Sequence, residues 1–274
     1  MLLTLFVLLS ILTAAGSFFA GAAWYTLPFI LVGSFLGWLV LAFLFLVAVV
    51  ALPDSQTDRQ KDSRFYRSLT DLYIELIISL AGIRFETKGL ELRPREGRFL
   101  LVSNHLHEID PAILMHFFPK AQLAFIAKKE AAGMFLVGKL LPRILGQYIN
   151  RENDREALKT ILKCISLLKT DEASVGVFPE GGINEQRKFK HLKPGVFKIA
   201  QKAKVPIVVC TLQNTQHVVS NLLKLKRTTV TVHLLEVVSP QWMEGKTTVE
   251  ISDYVHSIIA EDLGPENLYV EENT

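Results

Sequence analysis

Phe99-Leu100-Leu101-Val102-Ser103-Asn104-His105-Leu106-His107-Glu108-Ile109-Asp110-Pro111 is the stretch from which the rest of the chain is read. Its first four residues form a short apolar run, the pattern of a buried strand. Pro111, followed by Ala112, Ile113, Leu114 and Met115, reads as a helix with proline in its first turn. His105 is therefore expected at a strand exit and Asp110 at a helix N-cap, one tight turn apart. A carboxylate so placed can hydrogen-bond the imidazole, fix its tautomer and raise its basicity. Two plainer readings stand beside this one. Asp before Pro is an ordinary helix cap, and His105 with His107 could serve as metal ligands.

Val175-Gly176-Val177-Phe178-Pro179-Glu180-Gly181-Gly182 is a second buried strand, ending in a proline, a carboxylate and two glycines. Pro179 stops the strand, and the glycines permit positive φ or a close approach of backbone to ligand. Glu180 falls at the carboxyl end of a strand, where ligand sites collect in open α/β sheets. A plain turn would use the same residues.

Around these two stretches the chain alternates. Strands are predicted over 83–87, 98–102, 123–127, 174–178, 205–212 and 229–238, and helices over 111–118, 130–140, 154–168, 194–203 and 249–262. The 154–168 helix carries an N-cap, Asn153, with a capping-box partner at Glu156, and Leu158, Ile161, Leu162, Ile165 and Leu168 form its stripe. Strands interleaved with helices give an α/β fold with a mixed, largely parallel sheet flanked by helices, over 83–274.

The chain of 274 residues is uneven in composition. Residues 1–53 contain no Lys, Arg, Asp or Glu. Two apolar runs, 2–20 and 27–52, extend ~28 and ~39 Å as helices. Each is long enough to cross a hydrocarbon core, the second with tilt. Trp24 and Tyr25 suit an interfacial turn between them. A cleaved signal peptide is the alternative for the first run, but it lacks a basic leader and a second long run follows at once. An N-terminal transmembrane helical hairpin over 1–53 is the reading adopted. Arg59, Lys61, Arg64 and Arg67 then place the remainder on the cytoplasmic face of the cell membrane by the positive-inside rule. Residues 54–62 read as a polar linker. Phe65, Leu69, Leu72, Tyr73, Leu76, Ile77 and Leu80 recur at helical spacing. That apolar face either packs on the following domain or lies on the membrane with help from Arg64 and Arg67; with the linker it makes an interfacial segment over 54–82.

The net charge is +3 and no Lys/Arg block occurs, so nucleic acid is not an expected partner. Cys164 and Cys210 lie in apolar patterns and read as reduced core residues, neither bridge nor metal site nor nucleophile.

Taken together, four blocks resemble the glycerolipid acyltransferases, and among them the 1-acyl-sn-glycerol-3-phosphate acyltransferases. Asn104-His105 with Asp110 is similar to the family's first block. Lys128-Lys129-Glu130, Gly138 and Gly146-Gln147-Tyr148-Ile149-Asn150-Arg151 are similar to its second. Phe178-Pro179-Glu180-Gly181 is similar to its third, and Val205-Pro206-Ile207-Val208 to its fourth. There are departures. Gly182 and Ile183 stand where the family usually has Thr-Arg, Phe135 replaces a Pro, and Asn150 replaces an Asp.

The resemblance implies acyl transfer from an acyl-CoA or acyl carrier protein thioester to a lysophospholipid, with no cofactor and no metal. His105 would be the general base and Asp110 its orienting carboxylate. Glu180, Gly181 and Gly182 would shape the acceptor site. Lys128 and Arg151 are the phosphate candidates, with Arg187, Lys188, Lys190 or Lys193 standing in for the missing third-block Arg. The acceptor implied is 1-acylglycerol 3-phosphate, and another lysophospholipid or glycerol 3-phosphate is the nearest competitor. A hydrolase whose metal sits on His105, His107, Asp110 and Glu180, or a non-catalytic lipid-binding scaffold, are readings from other classes.

Overall fold

The computed structural model describes residues 1–53 and 59–269. In chain order its strands are β1 (Ile83–Lys88), β2 (Leu100–Ser103), β3 (Ala124–Lys128), β4 (Gln147–Ile149), β5 (Val175–Val177), β6 (Ile207–Gln213) and β7 (Thr228–Val238). Its α-helices are α1 (Leu2–Phe19), α2 (Leu27–Ala51), α3 (Arg64–Leu80), α4 (Asp110–Phe117), α5 (Phe135–Arg143), α6 (Asp154–Lys169), α7 (Lys198–Ala203), α8 (Val218–Leu223) and α9 (Thr248–Leu263).

The apolar runs of β2, β5 and β6 are buried at nearly every residue, as strands covered on both faces must be. They form the middle of one seven-stranded sheet, ordered β1-β7-β6-β2-β5-β3-β4. Strands β6, β2, β5, β3 and β4 run parallel. Strand β7 is antiparallel to β6, and β1 is parallel to β7. The mixed, largely parallel sheet is as the sequence predicts. Five carboxyl ends therefore gather on one edge, and β1 and β7 begin there.

Alternating side chains divide the core into two layers. Leu101 and Val208 face Ile74 and Ile78 of α3 and Ile113 and Leu114 of α4. Leu100, Val102 and Val209 face Cys164 of α6, Ile199 of α7 and Val255 of α9. Both cysteines are buried and unbridged, and burial pushes the Cys164 thiol up to about 12, which leaves it inert at neutral pH.

Helices α1 and α2 are long and apolar enough to cross a membrane, and most of their large apolar side chains are exposed. They are held to each other in part by a Phe6–Trp38 stack. The end of α2 is seated on the domain. Leu46, Val49 and Val50 pack with Leu69, Tyr73 Oη donates to Ala42 O at 2.6 Å, and Arg143 donates to Val49 O and Leu52 O. Helix α3 thus has one side on the sheet core and another on α2.

Several expectations are corrected. Arg67 does not face lipid: it is buried, and its guanidinium donates to the carbonyls of Leu123, Gln122 and Ile144 and to Asp62. The helix over 130–140 is a 3-10 turn (Lys129–Gly133) followed by α5, with Met134 extended between them. The turn folds back so tightly that a Cβ on Gly138 would lie 2.2 Å from Ala132 O. Asn153 caps α6, but Glu156 accepts from the Asn150 side chain instead of closing a box. The complete box belongs to α9, between Thr247 and Glu250. Strand β4 and helix α8 were not expected. Of the 54–62 linker, residues 54–58 lie outside the described residues.

Candidate active site

The turn after β2 is built by a carboxylate. Asp110 begins α4 but does not cap it. Its Oδ2 instead accepts the N–H groups of Leu106 at 2.7 Å and His107 at 2.9 Å, and the ring Nδ1–H of His105 at 2.9 Å. The side chain is wholly buried, and Oδ1 has no hydrogen-bond partner among the described residues. One oxygen thus gathers three donors and fixes the turn and the ring together. A carboxylate can only accept, so His105 carries its proton on Nδ1 and leaves Nε2 as the basic nitrogen. His107 closes the same turn, its Nδ1 accepting from Ile109 N–H at 3.2 Å.

Three further contacts hold His105. Its ring stacks on Phe178 with centroids 4.1 Å apart, and Phe178 stacks in turn on Phe125. Its backbone N–H donates to Glu180 Oε1 at 2.7 Å. Its neighbour Asn104 forks onto the backbone of β6, donating to Leu212 O and accepting from Leu212 N–H, both at 2.8 Å. The roles of Phe178 and Asn104 were missed in the sequence, although both sit inside the blocks quoted above.

Glu180 lies on the inner side of the β5 turn, only 2% exposed. Its second oxygen accepts the Lys190 N–H at 3.2 Å. Burial pushes its carboxyl up to about 8, against the backbone donors of His105 and Lys190 and the Lys190 charge; the Asp110 charge adds a smaller upward push. Glu180 is thus held between two backbone N–H donors. It joins the two turns and the loop that follows.

Gly181 and Gly182 have φ of 86° and 141°, in the region that glycine tolerates. Cations crowd their missing side chains. A Cβ on Gly181 would lie 2.9 Å from Lys193 Cε and 3.3 Å from Arg151 Nη1, and one on Gly182 would lie 3.0 Å from Lys128 Nζ. Lys128 ends β3 and Arg151 follows β4, so both reach the site from neighbouring parallel strands. Desolvation lowers the pKa of Lys193, and so do the charges of Arg151, Lys190 and Lys128. Desolvation lowers that of Arg151, opposed by Glu130. None of Lys128, Arg151 and Lys193 forms a salt bridge among the described residues. Positive charge held together against its own repulsion is the electrostatic signature of an anion site. Arg187 has a partner of its own on the neighbouring turn. Its guanidinium donates to Leu106 O at 2.7 Å, bracing the His105 turn from the loop. Among the described residues no group of three or more His, Cys, Asp or Glu is placed to hold a metal ion.

A histidine held by a buried carboxylate and a cluster of converging cations thus share one sheet edge. Residues 84–213, which span all four blocks, match the family model described as Acyltransferase. The chain is 28% identical over 144 residues to the 1-acyl-sn-glycerol-3-phosphate acyltransferase of Borreliella burgdorferi, covering 53% of this chain and 57% of that one. It is 29% identical over 182 residues to the human 1-acyl-sn-glycerol-3-phosphate acyltransferase alpha, covering 66% and 61%. The chain thus spans little more than half the length of these relatives. The crystal structure of the 1-acyl-sn-glycerophosphate (LPA) acyltransferase PlsC from Thermotoga maritima shares the fold, with a TM-score of 0.61 at 20% identity over 83% of this chain and 89% of that one. Over residues 84–213, the stretch that carries this site, the chain is thus similar to the acyltransferases, among them proteins named 1-acyl-sn-glycerol-3-phosphate acyltransferase.

Proposed function

We propose that this protein transfers a fatty acyl group from a thioester, acyl-CoA or acyl carrier protein, to the free hydroxyl of 1-acylglycerol 3-phosphate, giving phosphatidic acid. The observation that carries the reading is the His105–Asp110 pair standing beside the Lys128, Arg151 and Lys193 cluster. The cluster takes the acceptor's phosphate, replacing the Arg absent at Ile183, and so brings the glycerol hydroxyl to His105. Nε2 removes the hydroxyl proton as its oxygen bonds to the thioester carbonyl carbon. Asp110 stabilises the imidazolium. The tetrahedral intermediate then expels the thiolate, which takes the proton back from His105. General-base catalysis of this kind supplies ~10²–10⁴-fold.

The acceptor and product are amphiphiles, and α1 with α2 suits a bilayer anchor. Arg59, Lys61 and Arg64, directly after the hairpin, support a site on the cytoplasmic face of the cell membrane by the positive-inside rule.

The test is product formation in detergent from lysophosphatidic acid and labelled palmitoyl-CoA or palmitoyl-acyl carrier protein, beside Asp110→Ala. The expected result is phosphatidic acid from the parent protein and almost none from the variant. Product only with another lysophospholipid or glycerol 3-phosphate would overturn the acceptor, and equal product from Asp110→Ala would overturn the dyad.

A further inference from the structure

Helix α8 ends in a turn that spends its apolar residues on the outside. Val218 is its buried anchor, while Val219 and Leu222 are 48% and 40% exposed, Leu223 82% and Leu225 95%. Lys224, Lys226 and Arg227 alternate with them, all exposed. The turn has a defined shape. Leu225 N–H donates to Leu222 O, Lys226 N–H to Asn221 O, and the Asn221 side chain to Thr228 Oγ1. Leu225 is held at φ 54°, a region where a bulky residue is strained. A strained leucine almost wholly in water gains nothing from the rest of this chain.

Its place in the fold supplies the missing partner. Thr228 pairs with Ile83 at the start of β1, and Arg227 Cγ lies 3.6 Å from the Cβ position of Gly82. The turn therefore adjoins the end of α3, where Ile77 and Leu80 are also exposed. Helix α3 runs antiparallel to α2, since Leu69 meets Val49 and Val50 while the later Tyr73 meets Ala42. Its end is thus carried back along the apolar hairpin. The same sheet edge bears the His105 turn, because β7 begins where β2 and β6 end.

We propose that the 219–227 turn is a second membrane anchor, whose leucines enter the bilayer interface while Lys224, Lys226 and Arg227 contact anionic lipid headgroups. It rests on the reading of α1 and α2 as a membrane anchor. Leucines among lysines and arginines are the composition of an interfacial element, and each cation near an anionic surface adds to binding. With the hairpin as first contact, two attachment points fix the tilt of the sheet edge over the lipid.

The full chain carrying Leu225→Cys tests this, since Cys164 and Cys210 are buried and a polarity-sensitive thiol probe goes to the tip. The labelled protein is reconstituted in phosphatidylcholine vesicles with a quarter phosphatidylglycerol, floated, and read for emission shift and for quenching by headgroup-level nitroxide lipid. Lys202→Cys, exposed on α7 before the amino end of β6, is the reference. The expected result is a blue shift and quenching at position 225 well above position 202. Quenching should fall when phosphatidylglycerol is omitted or when Lys224, Lys226 and Arg227 are all changed to Gln. Flotation with position 225 quenched no more than 202 overturns the second anchor and leaves the hairpin standing. Failure to float overturns both. A blue shift without quenching means that a second copy covers the leucines, and quenching indifferent to charge overturns the headgroup contact.

Discussion

Among the described residues two His–Asp pairs share a similar geometry and differ in their surroundings. His105 Nδ1 lies 2.9 Å from Asp110 Oδ2, and His233 Nδ1 lies 2.6 Å from Asp262 Oδ1. The first is local, five residues apart at a strand exit, and its carboxylate also holds two backbone N–H groups. The second joins β7 to α9, and its other oxygen accepts from Thr211 Oγ1 of β6 at 2.5 Å. It therefore ties a helix to two strands. The short distance is common to both, so the distance does not make a dyad. The difference lies in what the adjoining turn carries: three converging cations about two glycines in the first case, sheet and helix in the second.

The largest expected effect separates the two pairs. His105→Ala should lower turnover by ~10²–10⁴-fold, whereas His233→Ala should leave it essentially unchanged, both read as acyl transfer at saturating donor. Equal losses would erase the distinction. Next comes the anion cluster. Lys128→Ala or Lys193→Ala should cost ~10–100-fold in kcat/KM for a phosphate-bearing acceptor, the worth of one charge-assisted hydrogen bond, with the loss mainly in KM and a weaker dependence on salt. An unchanged KM would remove the cations from acceptor binding.

A third measurement concerns Glu180, whose folded pKa is raised by burial to about 8. Between the ordinary carboxylate pKa and about 8 the folded chain holds a proton that the unfolded chain has lost. Stability should therefore fall as pH rises through that window, by at most ~1.4 kcal/mol per pH unit. Glu180→Gln should flatten that slope in denaturant titrations at successive pH values. The smallest effect belongs to the second pair. Asp262→Asn should cost ~1 kcal/mol of stability, a fall in Tm of ~2–4 °C for a domain of this size, with acyl transfer retained.

What the sequence revealed follows the range of the interactions. The His105–Asp110 turn was legible because strand, turn and helix start are contiguous. Even so, the expected cap was misplaced, since Asp110 turns back to Leu106 and His107 instead of forward into α4. Lys128 and Arg151 were reached through the family blocks. Arg187 and Lys193 could not be told apart in sequence, because both are basic residues of one loop. Their directions are set by distant partners: Arg187 by Leu106 O, Lys193 by its backbone bond to Pro179 O and by Gly181. Strand β4 has only three residues and α8 only six, too short for periodicity to register. The hairpin was the easiest element to read, since nothing but length and apolarity defines it.

The Asn104 fork has a consequence in time. It joins residues 108 positions apart, across the strands β2 and β6 that pair in the centre of the sheet. At ~5–20 residues per second, synthesis takes ~5–20 s to deliver Leu212 after Asn104. The apolar hairpin leaves the ribosome well before either. The backbone around His105 thus stays without this clasp until Leu212 has been made, and any chain ended before Leu212 lacks it. Closing the centre of the sheet across β2 and β6 is therefore a step that local folding of the His105 turn cannot complete by itself.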